Sequence, residues 1–114
     1  MGGGWIYETR IKPVFSYIHK NFRKTISISE IAAVAGYSEC HFMSMFKKIT
    51  GYTFVEYLNI IRIENARKLL VESDMSVSEI AWQSGFNNLS YFIRLFKKKF
   101  DCSPLKYRNS TKKV

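Results

Sequence analysis

Apolar residues return along this chain at intervals of three and four, the spacing that places side chains on one face of an α-helix. Ile11, Val14, Phe15, Ile18 and Phe22 form one such stripe, and Phe42, Met45, Phe46 and Ile49 a second. Leu58, Ile61, Ile63, Ala66, Leu69 and Leu70 form a third; Phe92, Leu95, Phe96 and Lys99/Phe100 form a fourth. Punctuating residues bound them. Ser27-x-x-Glu30, Thr53-x-x-Glu56 and Ser76-x-x-Glu79 have the form of capping boxes, in which a hydroxyl accepts from one early backbone N–H and a carboxylate reaches back to another. Gly36 and Gly85 are predicted to end two short helices, because glycine enters the left-handed conformation without a Cβ penalty. Ser38, and Asn87 or Asn88, are predicted N-caps for the helices that follow. From Phe54 to about Glu72 there is neither Gly nor Pro, which predicts one long helix with Arg62, Arg67 and Lys68 on its solvent side. Pro13 is tolerable only in an opening turn, so the first helix is predicted to start just ahead of Ile11. Ser103-Pro104 opens a short last helix through Tyr107, and Asn109 to Val114 reads as a frayed polar tail. Seven helices and no strands are expected: an all-α fold.

The pattern repeats. Ser27-Ile28-Ser29-Glu30-Ile31-Ala32 returns as Ser76-Val77-Ser78-Glu79-Ile80-Ala81 at an offset of 49 residues, with Gly36-Tyr37 answered by Gly85-Phe86. Phe42-x-x-x-Phe46-Lys47-Lys48 returns as Phe92-x-x-x-Phe96-Lys97-Lys98 at an offset of 50, which places one inserted residue between Gly85 and Phe92. Residues 10–52 and 74–109 are thus two copies of a helix-turn-helix subdomain, and 53–73 the helix linking them. Residues 1–9 read as a linker or expression scar, because Met1-Gly2-Gly3-Gly4 carries no secretory pattern and Ile6 stands where a myristoylation motif needs Ser or Thr. Residues 110–114 are the tail.

Composition narrows the function. Among 114 residues, 18 Lys and Arg face 9 Asp and Glu, for a formal charge of +9. With 46% hydrophobic residues the chain can bury a core, and no apolar run approaches the roughly 18 residues of a membrane span. A strong basic excess favours polyanionic partners, nucleic acid first and an anionic membrane surface second. Cys40, Cys102, His19 and His41 show no metal-ligand spacing, so no metal is expected, and free thiols point to a reducing, cytoplasmic setting. No phosphate-binding glycine loop and no nucleophile with a base are present, so neither enzymatic activity nor a cofactor nor a bound small molecule is expected.

A short capped helix, a glycine turn and a second helix with an apolar rear and a basic front make the helix-turn-helix signature. Once it is weak, since helix pairs are common. Twice in tandem, with Lys-Lys at matched places, it points to DNA. A linking helix of some twenty residues spans ~30 Å, close to the ~34 Å of one duplex turn, which suits two recognition helices entering successive major grooves. Gly36-Tyr37-Ser38, Phe42-x-x-x-Phe46-Lys47-Lys48, Arg62-x-x-x-Ala66-x-x-Leu69-Leu70, Ile80-Ala81-x-x-x-Gly85-Phe86, Tyr91-Phe92-x-Arg94-x-Phe96-Lys97-Lys98 and Ser103-Pro104-x-x-Tyr107-Arg108 together resemble the C-terminal DNA-binding domain of the AraC/XylS family of bacterial transcription regulators. The resemblance spans roughly Ile11 to Arg108. It implies two helix-turn-helix subdomains on an asymmetric promoter site and activation of transcription through RNA polymerase; separately, Gly2-Gly3-Gly4 and a start just ahead of the first helix suggest a fragment cut from a longer chain.

With the apolar stripes turned inward, Cys40, Met43 and Ser44 on the first recognition helix are expected to face bases, as are Asn88, Leu89, Ser90, Ile93 and Arg94 on the second. Arg94 is the candidate for a guanine edge, and Leu89 and Ile93 for thymine methyls. It is also open to reading as an ion-pair partner. Cys40 and Met43 depart from the Arg, Gln and aromatic residues usual at such places in the family, so the first subdomain is expected to add affinity more than specificity. Ser38, Lys47, Lys48, Asn87, Lys97 and Lys98 are expected at phosphates. Trp82 and the Phe and Met stripes are expected in the core, His41 in packing, and Cys40 is weighed as a redox thiol because a helix N-terminus lowers thiol pKa. The competing reading is a protein-interaction module that contacts RNA polymerase or an anti-regulator and binds DNA weakly, supported by the apolar Met43, Leu89 and Ile93.

Overall fold

A computed structural model describes residues 2–111, with side chains from residue 9 onward. Its order is α1 (Gly2–Asn21), α2 (Ile28–Ala35), α3 (Glu39–Thr50), α4 (Phe54–Glu72), α5 (Val77–Gln83), α6 (Leu89–Phe100) and α7 (Pro104–Thr111). No strand occurs among the described residues. The chain divides into two compact units, Met1–Leu58 and Asn59–Val114. The division falls inside α4, which supplies its first residues to one unit and the rest to the other.

In the first unit Ile11, Val14 and Ile18 of α1, Ile31, Ala32 and Ala35 of α2, Phe42, Met45 and Phe46 of α3, and Phe54 and Leu58 of α4 are buried. Aromatic rings fill its centre. Phe46 lies 5.4 Å from Phe42, 5.9 Å from Phe54 and 5.3 Å from Tyr57, the last two edge to face, the arrangement that ring quadrupoles prefer. The second unit repeats this motif. Phe96 lies 5.9 Å from Phe92 and meets Tyr107 edge to face at 5.5 Å, within a buried cluster of Ile63, Ala66, Leu70, Ile80, Ala81, Phe86, Phe92 and Phe96. The duplication read in the sequence is therefore a duplication of packing.

Both short helices end on one bond pattern. Tyr37 N–H donates to Ala32 O at 3.0 Å and Gly36 N–H to Ala33 O at 3.1 Å; Phe86 N–H donates to Ala81 O at 2.9 Å and Gly85 N–H to Trp82 O at 3.1 Å. These are Schellman closures with a left-handed glycine, at φ 73° for Gly36 and 99° for Gly85. The regular part of α5 stops at Gln83, ahead of Gly85, and Ser84 between them is buried with its hydroxyl accepting from Asn65 Nδ2 at 3.1 Å.

Several expectations give way. Pro13 lies inside α1 rather than in its opening turn, since α1 begins at Gly2; a proline there withholds one N–H from the helical ladder. Met1 lies outside the described residues. The tail is helical as far as Thr111, with Ser110 and Thr111 hydroxyls donating to Lys106 O and Arg108 O; residues 112–114 lie outside the described residues. Ser27/Glu30 and Thr53/Glu56 close as full capping boxes. At Ser76 only the forward half forms: its hydroxyl accepts from Glu79 N–H at 3.1 Å, and Glu79 makes no return bond among the described residues. Arg62, expected on the solvent side, is half-buried, and desolvation lowers its pKa. Ile49 ends the α3 stripe exposed at 40%, as Lys99 is at the matching place on α6. Trp82 is 69% exposed. On α5 the inward positions are Ile80 and Ala81, with Ser84 buried just past its end, and position 82 turns outward, as Ala33 does at the matching place on α2.

Candidate nucleic-acid interface

Each recognition helix is built in the same way: a polar N-cap, aromatic residues that anchor one face, and cations on the last turns of the other. In the first head Ser38 Oγ accepts from His41 N–H at 3.2 Å and so starts α3. Phe42, Met45 and Phe46 are buried, and Glu39, Cys40, His41, Met43, Ser44, Lys47 and Lys48 are exposed. His41 stacks on Tyr37 at 4.3 Å, and the Arg10 guanidinium sits 5.0 Å over the same tyrosine ring. Arg10 Nη1 also donates to Ala35 O and Gly36 O, at 3.3 and 3.2 Å, satisfying carbonyls at the end of α2. The turn ahead of α3 is thus held from behind by α1. The expectation of His41 as a packing residue is met by this stack, although its ring remains exposed.

In the second head the N-cap is Asn88, whose Oδ1 accepts from Tyr91 N–H at 2.9 Å. Asn87 precedes it, exposed. Leu89, Ser90, Tyr91, Arg94, Lys97, Lys98 and Lys99 are exposed along α6, while Phe92 and Phe96 are buried. Ile93, expected to pair with Leu89 on the outer face, is half-buried and packs on the core cluster; Leu89, 42% exposed, is the outward apolar residue. Arg94 makes no ion pair among the described residues, and its guanidinium lies 5.7 Å over the Tyr91 ring. Tyr91 in turn accepts a hydrogen bond from Asn59 Nδ2 at 2.9 Å.

Charge separates the heads. α6 carries Arg94, Lys97, Lys98 and Lys99 with no acid, whereas α3 carries Lys47 and Lys48 with Glu39 in its first turn. The first unit holds seven basic and four acidic residues, the second eleven and five, so two-thirds of the excess belongs to the second. Lys99 is a cation that the stripe assignment concealed: it shared position with Phe100 in the pattern, and the backbone turns Phe100 inward and Lys99 out. Arg108 takes a structural part, with Nε donating to Leu70 O at 3.0 Å and Nη2 to Ser73 O at 3.2 Å at the end of α4. Cys40 is an exposed free thiol and Cys102 a half-buried one. Among the described residues no cluster of three or more His, Cys, Asp or Glu is arranged to hold a metal, and no helix is long and apolar enough to cross a membrane.

A family profile described as a helix-turn-helix domain matches residues 31–110. The chain is 36% identical over 99 residues to the bifunctional transcriptional activator/DNA repair enzyme AdaA of Bacillus subtilis, covering 87% of this chain and 47% of that protein. It is 34% identical over 101 residues to an HTH-type transcriptional regulator of Staphylococcus aureus, covering 89% of this chain and 14% of that one. The chain thus spans less than half the length of these relatives. Among solved structures, the C-terminal domain of the two-component response regulator yesN from Fusobacterium nucleatum matches at a TM-score of 0.78 and 32% identity, over 83% of this chain and 93% of that. The DNA-binding domain of AdpA, solved in complex with a target DNA, matches at 0.83 and 27% identity, over 88% and 90%.

Proposed function

From the premise that this chain belongs to the AraC-type helix-turn-helix family, we propose that it binds double-stranded DNA sequence-specifically as the DNA-reading part of a transcription regulator. The observation that carries this is the outer face of α6: four cations, no acid, and an arginine without an acidic partner among the described residues, on a helix whose opposite face is buried. Arg94 reads a guanine edge through its two parallel donors, and Lys97, Lys98 and Lys99, on the last turns, hold phosphates. Leu89 meets a thymine methyl, and the Asn88 amide, whose carbonyl is committed to the cap, offers its N–H groups to an acceptor. On α3, Cys40, Met43 and Ser44 supply contact and little discrimination, while Ser38, Lys47 and Lys48 add phosphate contacts. Two heads in tandem, each with its own basic recognition helix, favour insertion into successive grooves.

Titration of labelled duplexes, first selected from a random pool, tests this reading. Binding is expected to weaken by roughly 10³-fold or more between 50 and 200 mM salt, with a preference of at least ~10³ for the selected site over random sequence. Arg94→Ala should relax preference at one base pair by about 1–3 kcal/mol, while Lys97→Ala should weaken all sequences alike and reduce the salt slope by about one. Uniform losses for both would exclude Arg94 as a base reader. If the chain activates transcription it also meets the transcription machinery, and the 69% exposed Trp82 favours a second surface on α5 for RNA polymerase. Trp82→Ala that lowers transcription from the bound promoter with DNA affinity intact supports it.

A further inference from the structure

Arg94 leans on a ring that another helix holds in place. Tyr91, one turn earlier on α6, places its ring 5.7 Å under the Arg94 guanidinium, inside the ~6 Å range of a cation–π contact. The ring is fixed at both ends. At its base the backbone N–H donates to Asn88 Oδ1 at 2.9 Å, and at its tip the hydroxyl accepts from Asn59 Nδ2, also at 2.9 Å, across 32 residues of chain. Phe86 backs the ring at 6.3 Å. Arg62, one turn beyond Asn59 on α4, is half-buried and interacts electrostatically with the same phenol.

An arginine on an open surface loses rotamer freedom when it docks on a base edge, and a ring that already holds the guanidinium reduces that loss. We propose that Tyr91 and Asn59 are positioning residues for Arg94: Asn59 holds the Tyr91 ring, the ring holds the guanidinium, and the selectivity of the second head resides partly in α4, away from the groove. This rests on the reading of Arg94 as a base reader. The first head lacks the device. His41 and Ser44 stand at the corresponding places, and the arginine near the aromatic stack, Arg10, comes from α1 and is committed to the carbonyls ending α2.

The test uses the whole chain, the selected duplex, and the same duplex altered at the base pair whose preference Arg94→Ala relaxes. Tyr91→Leu is expected to lower the preference for the selected over the altered duplex by about two- to fivefold, with an unchanged salt slope. Tyr91→Phe, which keeps the ring, should retain more of the preference than Tyr91→Leu, and Asn59→Ala should lose some of it. In an Arg94→Ala background, Tyr91→Leu and Asn59→Ala should have no further effect on preference, because the coupled group is gone. Equal losses on both duplexes, or the same loss of preference with Arg94 absent, would overturn the proposal. If Arg94→Ala relaxes no base pair, the base-reading assignment falls and the positioning with it. If Arg94→Ala relaxes one and neither Tyr91→Leu nor Asn59→Ala does, positioning alone falls. Thermal unfolding of each variant establishes that the fold is kept, and the half-buried Asn59 and exposed Tyr91 give two independent substitutions.

Discussion

Gly36 shows how a single residue joins local geometry to a tertiary contact. Its φ of 73° is in the left-handed region, and a Cβ built there would meet Arg10 Nη1 at 3.0 Å, whereas at Gly51, with φ 83°, it would meet nothing within 4 Å. An alanine costs about 1–2 kcal/mol of backbone strain at either position. Gly36→Ala should destabilise at least as much as Gly51→Ala in chemical denaturation, any excess being what Arg10 loses in yielding to the new Cβ; an excess that persists after Arg10 is removed would exclude this contact as its cause. The left-handed glycine was legible from its place after a capped helix, but Arg10 was not, because it lies 26 residues upstream. Trp82 failed the other way. Size and hydrophobicity suggested burial, yet position 82 turns outward, as the matching Ala33 does on α2. Arg94 was identifiable as a candidate; that Tyr91 and Asn59 support it required the fold.

Among the elements, α4 is where sequence and structure agree most closely, because its bounds depend on local chemistry. Thr53 Oγ1 accepts from Glu56 N–H at 3.1 Å, and Glu56 Oε1 accepts from Thr53 N–H at 2.9 Å. That backbone bond, with lesser help from the Thr53 side chain and Lys47, holds the Glu56 carboxyl below its ordinary range despite some desolvation. A depressed folded-state pKa means that the charged form stabilises the helix start above the unfolded value of about 4.3. This contribution is lost as pH falls through the folded value. Glu56→Gln should accordingly flatten the acid side of the stability profile between about pH 4.3 and the folded pKa, and an unchanged profile would deny the box a role. At the outer ends of α1 and α7 the local signals did not decide: α1 continues through Pro13, whose missing N–H costs the ladder one bond without ending the helix, and the tail hydroxyls of Ser110 and Thr111 bond back to the preceding turn.

At the scale of the molecule, the charge of +9 is unevenly held. Lys47-Lys48 and Lys97-Lys98 are equivalent in sequence, but the second pair stands with Arg94 and Lys99 on a helix without acids. Replacing Lys97 and Lys98 by alanine together should cost more DNA affinity than replacing Lys47 and Lys48, although each pair should reduce the salt slope by about two. Comparable affinities for the two double variants would return the picture to an even grip. By itself the sequence determined the helices, the turn glycines, the tandem heads and the basic faces, since periodicity, capping and charge act within a few residues or repeat along the chain. Only the tertiary structure decided which way Trp82, Ile49, Ile93 and Lys99 face, that Arg10 and Arg108 cap helix ends distant in sequence, and that Arg94 rests on a ring held from α4. The arginine contacts and the held ring depend on bonds between residues 25 to 38 positions apart, which packing brings together and no local pattern encodes.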